Sequence, residues 1–196
     1  YNLDATHHEG GKATPAGRGV HTRTAGEIIA ALDSQGIAAL GKADEVAGAW
    51  CRLNPFDGAG VADSNVREFR HALVESDGMD LPKQLAIMRA LHLPAVMVIH
   101  SGGKSLHAVV RVDAGTDLAL YKTRVADLYD VLKRNGFEVD NQNRNPSRLS
   151  RLPGVTRKGN LQYIVAENIG AASWDAWISW RNEIDDKLPS FENMGA

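Results

Sequence analysis

Cysteine is almost missing from this 196-residue chain, where Cys51 stands alone. A single thiol excludes an intramolecular disulfide and excludes the Cys-rich zinc ribbons and knuckles, so no zinc is expected. Long apolar runs are missing as well; none approaches the roughly 20 residues that a membrane-spanning helix requires. The N-terminus reads Tyr1-Asn2-Leu3-Asp4, with neither a secretory apolar stretch nor an initiator Met. These absences lead us to expect a cytoplasmic protein with no membrane partner, cut from a longer polypeptide. A marked excess of charge is missing too: the net charge is −2 and the pI is about 6.4. That balance excludes a uniformly basic surface for nucleic acid.

The small net charge conceals an uneven distribution. Residues 141–160 contain Arg144, Arg148, Arg151, Arg157 and Lys158 with no acidic side chain, whereas 161–196 carry two basic and six acidic ones. A compact basic block can cradle phosphates locally, because nearby charges set the field in a cleft.

Residues 1–20, rich in Gly, His, Ala and Thr, lack periodicity and are expected to be a loosely ordered lead-in. Residues 21–196 then form the main domain. Thr24 and Glu27 have the spacing of a capping box at the start of a helix. Trp50 to Leu53 reads as a short strand ended by the turn-rich Asn54-Pro55-Phe56-Asp57-Gly58. A strand is expected over 66–75 and an amphipathic helix over 81–91 with Pro82 in its first turn. Residues 95–99 and 105–112 form a hairpin around Ser101-Gly102-Gly103. A helix over 118–135 closes at Gly136. Strands over 137–140 and 161–166 flank a polar loop at 141–154. The last helix, from Ser173, carries Trp174, Trp177 and Trp180 as a core-facing stripe. The order predicts an α+β fold, a small mixed sheet backed by helices.

Three segments carry candidate chemistry. In Glu75-Ser76-Asp77, at a strand end, the two carboxylates point to one face, about 7 Å apart at the backbone, and hard cations favour such oxygen ligands. In Ser101-Gly102-Gly103-Lys104-Ser105-Leu106-His107, glycines allow close approach to an anion while Lys104, Ser105 and His107 supply donors. The spacing is not that of a Walker A loop. Asp140 precedes Arg144, Arg148 and Arg151, whose planar guanidinium groups suit phosphate oxygens. Taken together, three carboxylates with two divalent ions and a nucleoside triphosphate need extra positive charge. Lys104, Arg148, Arg151 and His107 can supply it. Two metals could then activate a 3′-hydroxyl and stabilise the leaving pyrophosphate.

These residues resemble the archaeo-eukaryotic primase, or primase-polymerase, superfamily. Glu75-x-Asp77, Ser105-x-His107 and Val139-Asp140 resemble its three motifs. Arg52-x-Asn54-Pro55, Phe69-Arg70, Leu73 to Asp77, His100 to His107 and Asn145 to Gly154 look like primase domains of phage and mobile-element replication proteins. The likeness covers about residues 20–185. It implies an RRM-like catalytic sheet with an N-terminal α/β module packed against it, making or extending primers on a DNA template. It also implies Mg²⁺ or Mn²⁺ on Glu75, Asp77 and Asp140. Lys104, Ser105, His107, Arg148 and Arg151 would contact the incoming nucleoside triphosphate. Arg144, Arg157 and Lys158 would contact DNA. A helicase or other replication domain is the expected companion in the whole protein. The alternatives are a metal-dependent nuclease using the same carboxylates and an inactive DNA-binding replication module.

Overall fold

A computed structural model describes residues 1–184. Its centre is a four-stranded antiparallel sheet in the order β10-β5-β6-β4. The strands are β4 (His71–Val74), β5 (Ala95–His100), β6 (Leu106–Arg111) and β10 (Tyr163–Ile169). Alternation along them separates two faces. Ala72, Val74, Val98, Leu106, Ala108 and Val110 join the core formed with α2 (Leu81–Ala90), α3 (Leu118–Arg134) and α4 (Trp174–Ile184). Leu73, Ile99, His107 and Val109 fall on the opposite face, as the register Ile99↔His107 requires.

The second layer lies on that opposite face. Its strands are β1 (Ala5–His7), β2 (Ala13–Pro15), β3 (Trp50–Arg52) and β7 (Leu149–Arg151), with helix α1 (Ala25–Gln35) and a small hairpin of β8 (Thr156–Arg157) and β9 (Asn160–Leu161). Buried Gln162 ties these pieces together. Its side chain donates to Ala49 O (3.0 Å) and Leu152 O (3.1 Å) and accepts from Ala49 N (3.1 Å). The arrangement is the expected α+β sheet backed by helices, with a further α/β layer against it.

The helices follow their local signals. Thr24 N donates to Glu27 Oε2 at 2.7 Å and Glu27 N to Thr24 Oγ1 at 3.3 Å, completing the capping box. Asn135 and Gly136 (φ 75) end α3, and Phe137 N reaches back to Leu132 O at 2.9 Å. Trp174 and Trp177 are buried, and Trp180 stacks on His92.

Several strand expectations need correction, each where a distant partner decides. Residues 1–20 are not a loose lead-in: β1 pairs with β2, and Asn2 exchanges backbone hydrogen bonds of 2.8 and 2.9 Å with Trp50. The strand expected over 66–75 shrinks to β4, because the Asn54 side chain takes the N–H groups of Arg70 (2.8 Å) and His71 (2.9 Å). Residues 137–140 form no strand; Asp140 instead caps a 3₁₀ turn, Asn141–Arg144. The polar loop at 141–154 contains β7, which pairs with β3 some hundred residues earlier. The strand over 161–166 divides at Gln162, whose inward side chain interrupts the edge.

Candidate active site

Glu75 follows β4 immediately and faces the neighbouring strand β6, since Val74 pairs with Ala108. Its Oε2 lies 2.5 Å from His107 Nε2, and the other ring nitrogen of His107 lies 3.2 Å from Ser150 Oγ on β7. Oε1 of Glu75 accepts from Asn143 Nδ2 at 2.7 Å. The same amide nitrogen reaches Asp140 Oδ2 at 3.3 Å, while Asp140 Oδ1 accepts from Gln142 N at 2.9 Å. A backbone bond, Asp140 N to Glu75 O at 3.0 Å, fixes the 3₁₀ turn beside β4. Burial would raise the Glu75 carboxyl; the hydrogen bond and charge of His107, then Asn143 and Arg148, outweigh it and leave it at about 2.

Glu75 and His107 stand at a cavity of about 570 Å³ between the sheet and the second layer. Glu75, Asp77, Ser105, His107, Arg148, Arg151 and Arg157 all line it. So do Lys12 of the N-terminal hairpin, Trp50 and Arg52. Five basic side chains therefore share this space with two carboxylates, in a chain whose net charge is −2. Such local excess favours a polyanion. Arg151 lies with its guanidinium 4.9 Å from the Trp50 ring centre and donates to Ala47 O at 2.7 Å. Burial, then the charge of Arg157, pushes it down to about 10, against the opposing pull of Glu75 and Asp77. It remains a cation at neutral pH.

The Gly102-Gly103 turn makes a contact that its sequence does not suggest. A Cβ on Gly103 would stand 2.9 Å from Arg157 Nη1, and one on Gly102 (φ +68) 3.1 Å from both Arg157 Cβ and Asn160 O. The glycines thus admit the β8–β9 hairpin, and with it Arg157, to the cavity wall. Ser105 Oγ, which was expected to meet a ligand, donates to Ser101 Oγ at 3.2 Å.

Four sequence-predicted residues are not among the side chains lining the cavity. Asp140 is connected to it through Asn143. Lys104 is exposed on the β5–β6 turn, and Lys158 is exposed on the β8–β9 turn. Arg144 is exposed, 4.8 Å above the Tyr129 ring, and donates to Asn141 Oδ1 at 3.2 Å. Sequence reasoning missed Asn143, Ser150, Trp50 and Lys12 as site residues. Asn143 lies between Asp140 and Arg148, where an amide rich in hydrogen-bonding capacity was a usable signal; Lys12 offered none.

All three carboxylates are hard oxygen donors, the chemistry that magnesium or manganese takes. Glu75 and Asp140 meet at one amide, and Asp77 is exposed at the cavity. Among the described residues, no three His, Cys, Asp or Glu side chains stand together as a ready-made metal cluster. The donor types therefore fit the ion, with Glu75 presently engaged by His107 and Asn143.

No protein-family model matches the chain, and no curated protein matches it. A search of solved structures finds the archaeo-eukaryotic primase (AEP) domain of the cyanophage S-2L primase-polymerase. The TM-score is 0.52 at 20% identity, over 91% of this chain and 80% of that one. It also finds the polymerase domain of Mycobacterium tuberculosis ligase D in complex with DNA, with TM-score 0.38, 13% identity, and coverage of 79% and 67%. In fold, the chain is similar to that archaeo-eukaryotic primase domain.

Proposed function

We propose that this chain is a DNA-directed nucleotidyltransferase, a primase-polymerase catalytic domain that takes nucleoside triphosphates and a DNA template and primer. The observation that carries the reading is the cavity itself, where Glu75 and Asp77 face Arg52, Arg148, Arg151, Arg157 and Lys12. A triphosphate brings about four negative charges, and such a cation set offsets them. Glu75, Asp77 and Asp140 would hold magnesium or manganese in a two-metal arrangement. Bound there, the ions would supply Lewis acidity and neutralise charge at the reacting phosphoryl group. Arg148 and Arg151 would orient the triphosphate, with Arg157, expected at the DNA, beside them in the same cavity; His107, whose ring nitrogens are held by Glu75 and Ser150, would donate to it once a metal takes Glu75. Trp50 and Arg151 give the cavity wall a flat surface suited to a base or sugar. Arg144 and Lys158, both exposed on turns, would contact the DNA backbone.

A nuclease would have less use for five cations around a cavity of triphosphate size. The test is primer extension with labelled DNA, divalent metal and nucleotides. Wild-type protein lengthens the primer; Asp77→Ala abolishes incorporation without lowering the melting temperature, because Asp77 is exposed. Full incorporation by Asp77→Ala, or shortened products from the wild type, refutes the reading.

A further inference from the structure

Asn143 is fully buried, at 0% exposure, and only half of its amide is used. Nδ2 serves two carboxylates, Glu75 and Asp140, while Oδ1 has no hydrogen-bond partner. Among the described residues it is the one buried side-chain polar atom so left. Buried polar atoms are almost always paired, so an orphan of this kind calls for a reason. The carboxylates supply a second one. Glu75, whose charge His107 and Arg148 also offset, shares the donors of one neutral amide with Asp140, which leaves part of their mutual repulsion uncompensated.

A divalent cation between Glu75 and Asp140 would remove that repulsion, and it would reverse the preferred orientation of the amide. N–H groups repel a cation, whereas an amide oxygen is a regular ligand of hard cations. A half-turn about the last side-chain torsion exchanges Nδ2 for Oδ1 without moving the backbone. We propose that Asn143 is an oxygen ligand of the divalent cation beside Glu75 and Asp140, its amide turning between two states. In the metal-free state N–H faces the carboxylates; in the loaded state Oδ1 does, gaining the cation as its partner while Nδ2 gives up its two acceptors. The inference rests on the nucleotidyltransferase reading above. It also accounts for the residue type. Aspartate at 143 would crowd three carboxylates together with only His107 and Arg148 to offset them, and an apolar residue would bind neither state.

Mn²⁺ titration followed by electron paramagnetic resonance tests this on the full chain, comparing wild type, Asn143→Leu and Asn143→Asp. The expected result is Mn²⁺ binding by the wild type, weakened at least about tenfold in Asn143→Leu. Asn143→Asp should bind Mn²⁺ more tightly than wild type and melt at lower temperature without metal. If the amide only steadied the carboxylates in the metal-free state, its removal would make cation binding more favourable. Equal or tighter Mn²⁺ binding by Asn143→Leu therefore overturns the inference. Should Asn143→Leu fail to fold, Asn143→Asp decides, and unchanged or weaker binding overturns it. A wild-type chain that binds no Mn²⁺ overturns the metal-dependent reading itself, a different outcome from a wild type that binds while Asn143→Leu binds equally well.

Discussion

Arg151→Met separates two roles that most buried arginines combine. Burial and the neighbouring Arg157 push the guanidinium down from 12.5 to about 10. At about 1.4 kcal/mol per tenfold step, keeping the side chain charged in this position costs roughly 3 kcal/mol. The sign follows from the direction. A base with a lowered folded-state value destabilises the protein at every pH below about 10, and the penalty fades only above it. The hydrogen bond to Ala47 O and the stack on Trp50 each offset about 1 kcal/mol of this. Methionine preserves much of the apolar stem and removes the charge, but leaves Ala47 O without its donor, at about 1 kcal/mol. The net change in stability is therefore within about 1 kcal/mol, or some 4 °C in Tm for a chain of this length.

Nucleotide binding should respond quite differently. Losing charge-assisted hydrogen bonds to a phosphate costs about 1.5–3 kcal/mol, roughly a 10- to 150-fold loss of affinity. The assay pairs differential scanning calorimetry with titration of a fluorescent nucleoside triphosphate in the presence of Mn²⁺. A Tm loss beyond about 8 °C with unchanged nucleotide affinity would refute the reasoning, because Arg151 would then be a structural residue.

Two other variants extend the test. His107→Ala removes the partner of Glu75 and a cavity donor; apparent KM for nucleotide in primer extension should rise about tenfold or more, and an unchanged KM argues against this role. Gln162→Leu leaves the backbone groups of Ala49 and Leu152 without their side-chain partners. It should cost about 3 kcal/mol or more in urea unfolding, and a loss below about 1 kcal/mol would show that the second layer does not depend on Gln162.

The sequence alone was sufficient wherever short-range physics decides. Thr24 with Glu27 caps α1, Gly136 ends α3 and the tryptophan spacing buries Trp174 and Trp177, because each signal lies within a turn or two of its effect. Ser105-x-His107 and Glu75-x-Asp77 were likewise readable as pairs, and all four line the cavity, although Glu75, Asp77 and Ser105 lie just outside the strands expected to align them. The tertiary structure alone decided what depends on distant pairing. Asn2 meets Trp50, β7 meets β3 and Gln162 meets Ala49, and no local pattern encodes a partner fifty or a hundred residues away. The same holds for the site. Residue types marked Glu75 and Asp140, but only the 3₁₀ turn at Asn141–Arg144 sets Asn143 between them. Arg157 was legible as part of a basic block; its place in the cavity wall depends on the two glycines of a different hairpin. Local preference chose the donors, and long-range packing chose which of them face one another.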